Sequence, residues 1–344
     1  MGYAGITDIS KYEAYVLEDG DLLMSHINSV QYLGRTVLYV KQPDEIIIHG
    51  MNLLRLKARR NIINPAYARY CFYGHTFRCQ IGNITKKSVN QASFAVKDLK
   101  QIKIEVPSLD VQNKVVVILD RVQKIIDMRN NELASLDDLI KARFVEMFGS
   151  IHESTKYPYI AVKDLTDITS GGTPSRDKTE YWDNGTIPWV KTTELQNNVL
   201  IDVDEHITEA GLAGSSAKLV PVGTILVAMY GQGKTRGMTA YLGVEASTNQ
   251  ACACILPSDK VDSMFMWKYF ELSYDKLRSL AQGAGQPNLN GNMIKNFQVL
   301  VPPIELQKEY VDFVHQINKS KVAVQKALEQ TQTLFDSLMQ KYFG

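Results

Sequence analysis

At 344 residues, with 45% hydrophobic and 22% charged side chains, the chain has the composition of a globular protein long enough for two domains. No apolar run approaches the ~20 residues of a membrane-spanning helix and the start lacks a leader's charged and apolar regions, so a cytoplasmic protein without a membrane partner is expected. The net charge of +1 hides an asymmetry that excludes a uniformly basic nucleic-acid binder: residues 1–104 hold 14 Lys+Arg against 8 Asp+Glu, whereas residues 151–299 hold 13 against 16.

In the first mixed segment, residues 17–24 (LEDGDLLM) read as a turn feeding an apolar strand. Asp44-Glu45 lack the acid–x–lysine partner of a nuclease metal site and are loop acids. Asn64-Pro65-Ala66-Tyr67 approaches the Asn-Pro-Pro-Tyr loop of DNA amino-methyltransferases. The second proline is absent, however, and no glycine-rich cofactor loop precedes it. Asn64 as N-cap and Pro65 at the first helical position account for the residues without methyl transfer. Loop groups suited to base edges or phosphates are Arg35-Thr36, Asn83, Thr85-Lys86-Lys87 and Asn90-Gln91.

Residues 105–150 change period. Steps of four and three from Val115 give Val115, Leu119, Val122, Ile126, Arg129, Leu133, Leu136, Ile140, Arg143 and Met147, eight of them apolar. A seam repeating every 3.5 residues over about five heptads predicts a coiled-coil helix, started by Pro107 and ended by Gly149.

The second mixed segment, residues 151–299, is rich in polar loops: Gly171-Gly-Thr-Pro-Ser175-Arg176, Lys191-Thr192-Thr193, Lys234-Thr-Arg236, and a stretch from Gln282 through Gln286, Asn288 and Asn290 to Asn292. From these and the first segment, Arg35, Lys86, Lys87, Asn90, Gln91, Thr173, Ser175, Arg176, Lys191, Thr192, Lys234, Arg236, Gln282, Gln286, Asn288 and Asn290 are the candidate DNA-binding residues. Gly231-Gln-Gly-Lys-Thr235 approaches a phosphate-binding loop, but Ala228 stands where that pattern needs glycine and a strand-like run follows. A hairpin tip presenting Lys234 and Arg236 is expected. The acids at 202–209 form a solvated turn and a helix start at Thr208-Glu209. Cys71, Cys79, Cys252 and Cys254 form no CxxC and are expected to be reduced core residues; no metal, cofactor or catalytic constellation is expected.

Residues 300–344 repeat the helix. The stretch from 105 matches that from 300 at a constant offset of 195, with Pro107 and Gln112 opposite Pro302 and Gln307, to Phe148-Gly149 opposite Phe343-Gly344. The same steps give Tyr310, Val314, Ile317, Lys321, Val324, Leu328, Thr331, Phe335, Leu338 and Tyr342. The mixed segments also correspond: residues 17–24 to 220–227, Asn64 to Asp262, Leu99 and Ile102 to Ile294 and Phe297, Thr7-Asp8-Ile9 to Thr193-Glu194-Leu195. The second has a head, residues 151–188, without a counterpart in the first. If the first helix leaves one module for the other, the second returns, and the pair is antiparallel. About 37 residues then make a rod of ~55 Å.

Gly171-Gly-Thr-Pro-Ser175, Tyr181-Trp182, Gly185-Thr-Ile-Pro-Trp189, Gly223-Thr-Ile-Leu226, Thr248-Asn249-Gln250-Ala251 and the Val-Pro-x-x-x-x-Gln starts at Val106 and Val301 together resemble the specificity subunits of type I restriction–modification systems. The resemblance covers the whole chain. It implies an α+β fold: two target recognition domains of twisted β-sheets and short helices, separated by two long antiparallel coiled-coil helices in a pseudo-two-fold repeat. The expected divisions are a shortened recognition domain at 1–104, a helical spacer at 105–150, a complete recognition domain at 151–299 and a second spacer at 300–344. It implies a non-catalytic DNA-specificity subunit that binds a bipartite double-stranded target. Its partners would be two methyltransferase subunits and the restriction (motor) subunits, which carry the chemistry. The alternatives are a coiled-coil scaffold or adaptor without a DNA role, and a specificity-like modulator that exchanges with a full-length subunit.

Overall fold

The structure is a computed structural model that describes residues 8–43, 45–89, 91–231, 233–281 and 287–344. The chain divides into two compact units, Met1–Leu133 with Ala323–Gly344, and Ala134–Val322. The division runs through both long helices, so each mixed segment forms one body with the helix ends beside it.

In the first unit, Leu22–Ser25 is the central strand of an antiparallel sheet between Thr36–Leu38 and Leu53–Leu56. Met24, Leu33, Phe77, Ile81, Ala92 and Phe94 form its core. The helix Pro65–Tyr73 starts where the sequence predicts: Asn64 Oδ1 accepts from Ala66 N at 2.8 Å and Tyr67 N at 3.4 Å, and Pro65 needs no donor partner. Tyr67, Tyr70 and Cys71 of this helix pack with Val115, Val116, Leu119 and Phe343.

The second unit has a five-stranded sheet in the order Asn198–Leu200, Thr239–Leu242, Ile225–Ala228, Cys252–Ile255, Ile168–Ser170. The first pair is parallel and the rest antiparallel. Buried aromatic residues of the helix Ser263–Leu272 (Phe265, Trp267, Tyr269, Phe270) join Phe144, Phe148 and Tyr310 in one core. Asp262 caps that helix, accepting from Phe265 N at 2.9 Å.

The long helices, Leu109–Phe148 and Ile304–Phe343, are 40 residues each. On the first, Val115, Leu119, Val122, Ile126 and Ile140 are buried and Leu133 and Leu136 half-buried; on the second, Val314 and Val324 are buried and Ile317, Leu328, Phe335 and Leu338 half-buried. In the second unit Tyr310 Oη reaches Ile140 O at 3.3 Å, Arg143 pairs with Glu309 at 2.8 Å, and Lys321 pairs with Asp137. Rising numbers on one helix meet falling numbers on the other, so the helices run antiparallel there. In the first unit Val115 and Leu119 share a cluster with Phe335 and Leu338, the same sense. Two breaks in the apolar seam, Arg143 and Lys321, are thus the residues that make cross-helix ion pairs.

The repeat extends to single hydrogen bonds. Gln112, fully buried, accepts from Asn64 N at 2.8 Å and donates to Pro107 O at 2.7 Å. Gln307, likewise buried, accepts from Asp262 N at 2.8 Å and donates to Pro302 O at 2.7 Å. The β-hairpins match at an offset of 203: Gly20 and Gly223 have φ 85° and 87°, Gly34 and Gly237 have φ 71° and 84°. Gly20 N donates to Tyr39 O and Gly223 N to Leu242 O, at 2.9 and 2.8 Å. The sequence likeness at 17–24 therefore continues, unseen, to residue 39.

Burial pushes the Cys254 thiol up to about 11 and that of Cys252 well above its ordinary value, as expected for core cysteines. Cys79 is the correction: it is exposed, with Sγ 3.3 Å from His75 Nε2. It lies on the outer side of the helix His75–Ile84, whose inner side carries Phe77 and Ile81.

Replacing Gln307 by leucine strands the Asp262 amide and the Pro302 carbonyl in a buried site. We expect a loss of about 2–4 kcal/mol, read by urea denaturation, with a comparable loss for Gln112→Leu.

Candidate nucleic-acid interface

The strands Ile225–Ala228 and Thr239–Leu242 are joined by a glycine-rich tip. No helix follows Thr235, so the geometry is that of a hairpin. The tip is held from below by the helix Tyr274–Ser279. Tyr274 Oη donates to Lys234 O at 2.7 Å, and Arg278 Nη1 donates to Arg236 O at 2.8 Å. The Arg236 guanidinium donates to the Pro287 carbonyl and is half-buried, whereas Lys234 is exposed. Of the two tip cations, Lys234 is presented to solvent and Arg236 fastens the loop.

The first unit builds the same clamp. Arg78 Nη1 donates to Leu33 O at 2.6 Å, immediately before Gly34. Leu33 and Arg236 are equivalent in the hairpin, as are Gly34 and Gly237. The sequence reading missed Arg78, Arg278 and Tyr274 because a clamp on a carbonyl leaves no motif. Their shared place in the short helix after the aromatic one was the available signal. Arg35 falls opposite Met238. It is exposed, stacks over the Tyr32 ring at 4.7 Å and donates Nε to Gln31 O at 3.2 Å.

The loop from Gly171 to Arg176 meets three other motifs. Trp189 Nε1 donates to Gly172 O at 3.0 Å and Trp182 Nε1 to Ser175 O at 3.0 Å, with the two indoles edge-to-face at 5.0 Å. Thr173 Oγ1 hydrogen-bonds Gln250. A Cβ on Gly171 would collide with Thr248 and one on Gly172 with Ser216, so only glycine lets this loop lie against the strand Ser247–Thr248. Arg176 lies over Trp182 at 3.6 Å and Trp189 at 4.9 Å. Its Nη1 pairs with Glu205 at 2.6 Å, and Lys191 Nζ pairs with the other oxygen of Glu205 at 2.9 Å. Burial works to raise Glu205's pKa, but hydrogen bonds from Lys191 and Arg176 outweigh it and hold the carboxyl below its ordinary value. The Glu205 hydrogen bond raises Lys191. Thr173 and Ser175 are exposed beside this cluster and Thr192 is half-buried. The four acids at 202–209 therefore include one with a fixed electrostatic task.

Lys86 and Lys87 are exposed on a short strand paired with Ala92–Ser93. Gln91 is exposed and lines a shallow polar cavity with Ser25, Asn28, Ser29 and Asn52. Asn290 caps the helix Gly291–Lys295, accepting from Met293 N at 3.0 Å, which gives its side chain a structural task. Asn288 is half-buried. Asn90, Gln282 and Gln286, like Asp44 and Thr7, lie outside the described residues. Among the described residues no group of three His, Cys, Asp or Glu is placed to hold a metal, and no helix is long and apolar enough to cross a membrane.

The chain as a whole is similar to known proteins. The type I restriction modification DNA specificity domain matches residues 4–138 and again residues 154–331. A putative type I restriction enzyme MjaX specificity subunit of Methanocaldococcus jannaschii is 25% identical over 95% of this chain and 79% of its own length. The EcoR124I/EcoR124II specificity subunit of Escherichia coli is 24% identical over 64% of this chain and 56% of its own. Among solved structures, the S subunit of a type I restriction–modification system from M. genitalium superposes with a TM-score of 0.56 at 14% identity, covering 95% of this chain and 83% of that one. A chain from a structure on complex assembly and conformational transition of the type I system gives 0.60 at 17% identity, covering 95% and 81%.

Glu205 yields a test of the cluster. A carboxyl with a depressed folded pKa adds stability above its unfolded value and loses it as pH falls through the folded one. Both cations are partly exposed, so the contribution at pH 7 is below about 1 kcal/mol. We expect Glu205→Gln to lower the urea midpoint at pH 7 and to match the parent once pH drops below Glu205's folded pKa.

Proposed function

The chain belongs to the type I restriction–modification DNA specificity family, and on that premise we propose that it reads a bipartite double-stranded DNA target, one half per recognition domain. The observation that carries this is the doubled construction: two hairpins at an offset of 203, each clamped at its tip by an arginine from the equivalent short helix. A protein with one reading head needs one such tip. Lys234, Lys86 and Lys87 supply phosphate contacts. The loops around Thr173, Ser175 and Gln91 supply polar groups for base edges.

The 40-residue helices set the number of unread base pairs between the half-sites. At 1.5 Å per residue each is about 60 Å long, and a B-DNA turn is ~34 Å. The chain itself carries no chemistry; methyltransferase and restriction subunits dock on it and supply methylation and cleavage. Docking is favoured by a second apolar line on the first long helix, where Val111, Ile118 and Ile125 recur every seven residues and stay exposed, outside the seam. In this reading those residues are covered by a partner subunit.

Methylation mapping in cells expressing the chain with its methyltransferase partner should give a target with a fixed gap of about five to eight base pairs. Deleting one heptad from each helix should shorten the gap; a gap of variable length, or one unmoved by the deletion, refutes the ruler.

Lys234→Ala should weaken target binding roughly 3–10-fold and lower the salt slope by about one, measured by fluorescence anisotropy with the partner present. Arg278→Met should weaken binding while leaving the salt slope unchanged, because it loosens the tip without removing a phosphate contact.

A further inference from the structure

In the second unit, the strands Ile187–Val190 and His206–Ile207 pair antiparallel. Lys191 follows the end of one and Glu205 precedes the start of the other, so the two residues are neighbours across the ladder. Trp189 N donates to Glu205 O at 2.9 Å and fixes the backbone at this point. Glu205 Oε1 takes Lys191 Nζ and Oε2 takes Arg176 Nη1. Among the described residues no backbone amide or hydroxyl donates to this carboxylate. Two cations alone hold it in place.

Each cation has a direction set by something other than Glu205. The Arg176 guanidinium lies on the Trp182 ring, and both indole N–H groups fasten carbonyls of the loop that carries it. Lys191 is fixed at its backbone, where its N–H donates to Glu194 Oε2 at 2.7 Å, while its Nζ has a second, longer contact with Asp204 at 3.6 Å. Together they bracket the two oxygens of a single anion. A phosphodiester shares one negative charge over two free oxygens, as a carboxylate does, so a guanidinium and an ammonium that fit one fit the other. The site is open to such a ligand: the Arg176 side chain is 52% exposed and that of Glu205 30%. Thr173 and Ser175 present hydroxyls beside it, groups that commonly contact phosphate oxygens. An ion pair this exposed adds little to stability, so exchanging its anion for another costs little.

We propose that Arg176 and Lys191 form a binding site for one backbone phosphodiester of DNA, and that Glu205 occupies that site in the free protein. An incoming phosphate takes the place of the carboxylate, which swings to solvent. Glu205 thereby holds down the affinity of the second domain for any duplex. The source of the phosphate rests on the DNA reading above; the anion site itself does not.

The test has two arms, both on the full chain. The first uses no DNA and follows the tryptophan indole N–H signals by NMR as inorganic tripolyphosphate is added. The chain has three tryptophans. Trp182 and Trp189 should shift, whereas Trp267, buried and bonded to Thr239 Oγ1 at 2.9 Å, should not. Glu205→Gln should tighten the response roughly fivefold or more, and adding Arg176→Gln to it should cancel the gain. The second arm measures fluorescence anisotropy of the mapped target and of an unrelated duplex, with the methyltransferase partner present. Glu205→Gln should raise the affinity for both roughly 3–10-fold and steepen the salt slope by about one. A carboxylate that only stiffened the fold would weaken binding when replaced. Unmoved indoles, an equal shift of Trp267, or weaker tripolyphosphate binding in Glu205→Gln would overturn the anion site. A gain with tripolyphosphate but none with either duplex would overturn the phosphodiester as its ligand, leaving the two half-sites to the Lys234→Ala test. A parent chain that binds neither duplex would end the DNA reading and the phosphodiester assignment together, with the anion site still decided by the indoles.

Discussion

A helix start and a domain helix start must share one buried place in each half of this molecule, and the backbone groups there need partners. Gln112 and Gln307 meet that constraint. A glutamine amide has an acceptor and two donors, enough to take the N–H of a capping residue and return a hydrogen to the carbonyl of the proline five positions earlier. Gln112 uses its remaining donor on Ile62 O at 2.9 Å. Because an unpartnered buried backbone group costs roughly 1–3 kcal/mol, an apolar residue cannot stand in. The proline to glutamine spacing of the repeat is therefore dictated by the join between rod and head. The antiparallel seam follows, since it begins one turn beyond each glutamine at Val115 and Tyr310.

The seam is apolar enough to associate and interrupted enough to choose its alignment. Arg143 and Lys321 occupy core-type positions, where a slip by one heptad would part them from Glu309 and Asp137. Exposed pairs of this kind add well under 1 kcal/mol to stability. Their value lies in the penalty on the wrong register.

The features legible in the sequence are those that repeat. A 3.5-residue period over 40 residues survives any substitution that keeps the face apolar, so the long helices can be read with their direction. Gln112 and Gln307 stand out as identical letters, but their partners cannot be read, because Asn64 and Asp262 lie some fifty residues away in sequence. The hairpins are legible only to residue 24. Beyond it the tips carry different side chains on the same backbone, and a left-handed glycine at 34 or 237 announces a turn without its equivalent. Arg236 shows the harder limit. A glycine-flanked arginine looks presented, yet the Pro287 carbonyl that engages it is fifty residues distant. The GGTP loop, by contrast, is well marked because its glycines, tryptophans and Gln250 all serve one contact set.

The two mixed segments differ in electrostatics although their hairpins match in construction. The first carries the excess of basic residues, and Lys86 and Lys87 are exposed without ion pairs among the described residues. In the second, Glu205 engages both Arg176 and Lys191, so two of the cations nearest the motif cluster are neutralised locally. On the proposed reading, a phosphate approaching that cluster competes with a carboxylate whose pKa is already held low. The exchange of one anion for another gains little from charge and depends on fit. The first head would then supply most of the sequence-independent attraction, and the second most of the discrimination. On that reading two matched scaffolds would separate these tasks, because each arginine clamp engages a backbone carbonyl of the tip and leaves the loop side chains at liberty to differ.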